Sequence, residues 1–178
     1  MISELINKYI ENSKVNGIFI KWDKQTVNIY IMPIVACISD RTFYMSEIQR
    51  AVLNWNKILK ECFIALQFNL VSNASDADIV IHWTKVGRVF EGMCKYSSII
   101  GGIIKKVAID IGLPNSCSPK NTTNESIFAT MMHELGHSLG LGHGIDVDDI
   151  MFVPHQKNIF SPSENDLFVL KTIYLSKT

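Results

Sequence analysis

Along the first sixteen residues Ile2, Leu5, Ile6, Tyr9 and Ile10 recur at helical spacing, which predicts a short amphipathic helix ended by Gly17. Residues 26–36, TVNIYIMPIVA, change to the alternation and β-branched content of a strand. From Ser46 to Lys60 the helical period returns, with Ile48, Ala51, Val52, Trp55, Ile58 and Leu59 on one face and Ser46 with Gln49 as a capping box. Two strands follow at 64–71 (IALQFNLV) and 78–83 (DIVIHW), separated by the polar turn SNASDA. Segments 92–98 and 105–111 read as two more, with Gly101 and Gly102 between them. After the loop LPNSCSPKNTTN, Thr122 and Glu125 offer a second capping box for a helix from about Asn124 to Leu139. Strand, helix, strand predicts a right-handed crossover and a largely parallel sheet.

Composition adjusts this picture only slightly. At 178 residues and 47% hydrophobic content the chain suits one domain with a substantial core. Lys+Arg and Asp+Glu both number 17, so no overall field favours nucleic acid or an anionic membrane. No stretch is long and apolar enough to span a bilayer. The N-terminus lacks the apolar run of a signal peptide, so a leader is either not used or not part of this chain. Cys37, Cys62, Cys94 and Cys117 are widely spaced, with no C-x-x-C pair, and leave the redox compartment open.

The candidate chemistry lies in HELGHSLGLGH, His133 to His143. On a helix, His133 and His137 are four apart and project from one face, so both can bind one metal ion. Glu134 stands beside the first, able to reach a water on that metal without being a ligand. Gly140 is where the helix can end, since glycine takes the left-handed conformation at little cost. The chain can then turn back and deliver His143 as a third ligand. Three neutral imidazoles suit Zn²⁺ and leave a fourth position for water, the mark of a catalytic site. Zinc lowers the pKa of such a water, and Glu134 would act as general base and then proton donor in peptide-bond hydrolysis. Chance would place these five residues in a chain of this length about once in 10⁵. His82, mid-strand, reads as structural.

The spacing H-E-x-x-H-x-x-G-x-x-H with a downstream methionine, Met151 in DDIM, resembles the metzincin clan of zinc endopeptidases, and within it the matrixins. KWDKQTVNIYI, SDADIVIHW, Asp146 and the tail SENDLFVLKTIY, with Asp166 and Tyr174 in register, extend the likeness over about residues 20 to 175. The resemblance implies an α/β (α+β) fold: a twisted five-stranded mixed sheet with three helices, and a zinc cleft between upper and lower subdomains. It also implies Met151 as the Met-turn floor and substrate extended along an antiparallel edge strand that includes Gly92, Met93, Cys94 and Lys95. Val153, Pro154 and His155 would follow the Met-turn as further substrate-binding residues, although FVPHQ departs from the family's arrangement there. Gly144 stands where a small hydroxyl residue is usual. No histidine or aspartate falls between residues 84 and 104, so the family's structural zinc is not expected and calcium binding is left open. No P-R-C-G switch precedes the domain.

The resulting expectation is a catalytic domain over 18–178 preceded by an N-terminal segment 1–17, a monomer holding one catalytic zinc and acting on protein or peptide. The resemblance suggests secretion, with a cytoplasmic location as the alternative. The competing function is a zinc-dependent binding protein without turnover, which the presence of Glu134 disfavours. A closed structural zinc site would need a fourth ligand. Cys94 reads as packing on a sheet, or else as a redox-sensitive thiol near the metal.

Overall fold

The computed structural model describes residues 4–34, 41–85, 92–113, 124–154 and 159–176. Among the described residues four α-helices, α1 (Glu4–Asn12), α2 (Arg41–Glu61), α3 (Asn124–Ser138) and α4 (Glu164–Leu175), accompany seven strands. Strands β1 (Lys14–Val15) and β2 (Ile18–Phe19) form a small hairpin. The other five, β3 (Thr26–Ile31), β4 (Gln67–Val71), β5 (Ile79–Lys85), β6 (Gly92–Ile100) and β7 (Ile103–Leu113), form one mixed sheet in the order β4-β3-β5-β7-β6. This is the expected five-stranded α/β sheet, with the anticipated N-terminal helix joining the three of the resemblance.

The β3-α2-β4 unit pairs in parallel, as do β3 with β5 and β5 with β7; β6 alone is antiparallel, at an edge. Gly101 (φ 57°) and Gly102 (φ 79°) make the two-residue β6–β7 loop, both in the left-handed region that a type I′ turn requires. The core lies between the sheet and the helices. Ile48, Ala51, Val52, Trp55 and Leu59 of α2 are buried there with Val27, Ile29, Ile79, Ile81, Ile109 and Met131. The Trp55 indole also donates to the Met132 carbonyl at 2.9 Å, tying α2 to α3. No helix of the described residues is long and apolar enough to cross a membrane.

Three sequence expectations are corrected. Helix α1 ends at Asn12, and Gly17 instead joins Asn16 in the β1–β2 turn, both with positive φ. Helix α2 begins at Arg41 rather than at a Ser46 cap; Ser46 is inside it and its hydroxyl donates one turn back to the Phe43 carbonyl at 2.7 Å. The added turn buries Tyr44 against Ile34 and Ile127. Strand β3 stops at Ile31, two residues before Pro33, which has no N–H to extend a ladder. The Thr122–Glu125 capping box lies outside the described residues.

Candidate metal centre

Helix α3 buries Ile127, Phe128, Met131, Met132, Leu135 and nearly everything between, so it is held on all sides and its histidines inherit that rigidity. It closes where Gly140 (φ 93°) donates to the His137 carbonyl at 2.8 Å and Leu141 to that of Gly136 at 3.2 Å. A Cβ at residue 140 would also collide with the Ile20 carbonyl, so space as well as conformation demands glycine. The reversal brings His143 back beside the helix. His133, His137 and His143 then offer three ring nitrogens within 4.8 Å of one another, a set able to hold a metal ion.

The hydrogen bonds fix the tautomers that such an ion needs. His133 Nδ1 lies 2.8 Å from the Ile150 carbonyl and His137 Nδ1 2.8 Å from that of Leu141. A carbonyl only accepts, so each Nδ1 carries the proton, and Nε2 is the nitrogen of each ring able to act as a cation's ligand. Tyr96 of β6 adds a bond from its hydroxyl to the His137 carbonyl at 2.5 Å. Neutral nitrogen donors of this kind fit zinc, copper or nickel better than calcium or magnesium.

Glu134, buried, lines the same cleft as the three histidines, a cavity of about 530 Å³ bordered by Gly92, Met93 and Cys94 of β6 and by Val153. Lys95 directs its ammonium to Asp110 at 2.7 Å. Pro154 is described but does not line the cleft, and His155 lies outside the described residues. Burial pushes the Cys94 thiol above its ordinary pKa, and the neighbouring Glu134 adds to the shift. His82 sits on β5 opposite Asp110, apart from the cluster.

Met151 is fully buried, and a side chain at Gly136 would overlap its sulfur, so it packs directly against α3 next to His137. Around it, Gly144 donates to the Met151 carbonyl, and Asp149 accepts from the amides of Ile145 and Asp146, each at 2.8 Å. Asp166, buried under the N-terminus of α4, accepts from Ile150 and Ser163 amides at 2.8 Å and from the Tyr9 hydroxyl at 2.6 Å.

This His-loop-Met-helix segment is also what comparison with known families picks out. Residues 103–175 match the matrixin family model. Over that stretch the chain is matrixin-like. The match runs from β7 through α3 and Met151 into α4, and so includes all three histidines and Glu134. No curated protein matches the chain. Asn12 and Ser13, which line the cleft, and Asp149 were not singled out in the sequence. Asn16-Gly17, a hairpin signal, was the one clue that the chain folds back after α1.

Proposed function

We propose that the protein is a zinc-dependent endopeptidase of the matrixin type. The observation that carries the reading is the convergence of His133, His137 and His143 in one cleft with the carboxylate of Glu134, below the edge strand β6.

His133, His137 and His143 hold the ion. Zinc, when bound, supplies Lewis acidity toward water and the scissile carbonyl. Glu134 takes the proton of the attacking water and passes it to the leaving amine. Substrate adds to the edge of β6 as an extended strand, its main chain pairing alongside Gly92, Met93, Cys94 and Lys95. Met151 acts as the apolar floor of the Met-turn, and Val153, Pro154 and His155 serve as further substrate-binding residues. Phe160, whose ring lies 6.2 Å from that of Phe128 on α3, joins Phe152, Val153 and Ile159 in an apolar S1′ boundary. Cleavage is then expected before Leu, Met or Phe. The catalytic module spans 18–178, preceded by the N-terminal segment 1–17.

Elemental analysis together with cleavage of an unbiased peptide library tests the reading. One zinc per chain is expected in wild type and in Glu134→Ala, with turnover reduced in the variant by roughly 10²–10⁴. Zinc without cleavage in wild type would leave a zinc-dependent binding protein. Full zinc in each of His133→Ala, His137→Ala and His143→Ala would remove the metal assignment.

A further inference from the structure

His143 is the candidate ligand that does not belong to α3, and it is exposed, so its aim depends on whatever holds the Gly140–His143 reversal. Much of that hold comes from the first helix of the chain. Asn12 Nδ2 donates to the His143 carbonyl at 3.0 Å, and the Gly142 amide donates to Ser13 Oγ at 2.9 Å. Ser13 is buried, and its hydroxyl donates to the Tyr9 carbonyl at 3.0 Å, which fixes the oxygen that receives Gly142. The two backbones touch: a Cβ at residue 142 would collide with the Asn12 carbonyl and lie 2.7 Å from the Ser13 nitrogen.

The helix is itself anchored. Tyr9 is fully buried and donates to Asp166, whose other oxygen receives the Ile150 amide. The carbonyl of the same Ile150 receives His133 Nδ1. One end of α1 is thus bonded to the backbone of the third histidine, and its middle is linked through Asp166 to Ile150, the residue whose carbonyl receives the first.

We propose that Tyr9–Ser13 is a clamp that aims His143 at the metal, with Asn12 and Ser13 as positioning residues. This rests on the peptidase reading only in its claim that the three histidines bind zinc. Partners one step behind a metal ligand typically carry 10–100-fold in metal affinity or activity, because they fix ligand orientation.

The test uses the full chain loaded with zinc and, separately, with cobalt(II). Zinc release to a chromophoric chelator is expected to be about 10-fold faster or more in Asn12→Ala and Ser13→Ala, and close to wild type in Ser13→Thr, which keeps the hydroxyl. The visible absorption of the cobalt form should change in the two Ala variants, a signature that lowered stability alone does not produce. Asn12 is exposed, so its truncation leaves the core intact and decides the matter if Ser13→Ala fails to fold. Wild-type release rates and cobalt spectra in the folded Ala variants would overturn the clamp. Retention of zinc at wild-type affinity by His143→Ala would overturn the ligand assignment and the clamp together. A wild type that binds zinc through His143 but cuts no peptide would defeat only the peptidase reading, and the release rates would still judge the clamp.

Discussion

Glu134 and Gly92 occupy adjoining space across the cleft: a Cβ on residue 92 would stand 2.7 Å from Glu134 Oε1 and 2.8 Å from its Cγ, with Thr130 Cγ2 also at 2.7 Å. The first residue of the edge strand therefore lacks a side chain because the carboxylate on α3 fills its place. Gly92→Ala should push that carboxylate aside while leaving the histidines untouched. Zinc content is expected to stay at the wild-type level and kcat to fall by roughly 10²-fold, the scale of an ångström's misplacement of a reacting group. An unchanged kcat would show that Glu134 works equally well from another rotamer.

Gly136 and Met151 stand in the same relation on the other side of α3. A methyl at residue 136 would overlap the Met151 sulfur and come within 3.3 Å of Trp55 Cζ2, both in the fully buried core. Gly136→Ala should cost about 1–3 kcal/mol by overpacking, whereas Met151→Leu, a swap of similar volume, should cost less than about 1.5 kcal/mol. Chemical denaturation of the zinc-loaded proteins measures both. The reverse order would mean that Met151 contributes through its sulfur rather than its volume.

Asp166 gives the fold a pH dependence with a defined sign. Burial raises its pKa above the ordinary 3.8; the Tyr9 hydroxyl and the Ser163 and Ile150 amides pull it back, and the charge of Asp149 adds a further upward push. A carboxyl with a raised native pKa binds more protons folded than unfolded between the two values. Its contribution to stability is therefore present in acid and is lost as pH rises through that window. Removing the hydroxyl in Tyr9→Phe should move the Asp166 midpoint higher still. Carboxyl-carbon NMR titration reads this directly, and a midpoint at or below wild type would deny Tyr9 the donor role.

The sequence carried the periodic parts of this molecule well. Ile48, Ala51, Val52, Trp55 and Leu59 were legible as a buried helical face because helix burial repeats along the chain, and all five are in the core. The three histidines were legible because a helix and one glycine turn bring them together over eleven residues. Contacts made across long separations left no such local trace. Nothing in the spacing links Asn12 to His143, 131 residues apart, or Tyr9 to Asp166, 157 apart. Ser46 misled because a serine followed by Gln49 has the same pattern at a helix start as inside one; the burial of Tyr44 decided in favour of the longer helix.

The departure at Gly144 has its counterpart in Asp149. A Cβ on residue 144 would lie 2.6 Å from Asp149 Cβ and 2.8 Å from Oδ2. The aspartate thus takes the space a side chain there would use. Its carboxylate receives Ile145 and Asp146 amides at 2.8 Å, the Ser163 hydroxyl at 2.6 Å and Asn165 Nδ2 at 3.1 Å. Gly144→Ser alone should therefore destabilise by about 1–3 kcal/mol through crowding. Asp149→Gly alone should cost about 3 kcal/mol or more, since two amides lose a charged acceptor. In the double variant the glycine removes the Cβ as well as the carboxylate that a side chain at residue 144 would meet, so the combined loss should fall short of the sum by at least about 1 kcal/mol. Denaturation of the four proteins at saturating zinc closes the cycle. Strict additivity would mean that the two positions do not share space, and that Gly144 is glycine for a reason unconnected with Asp149.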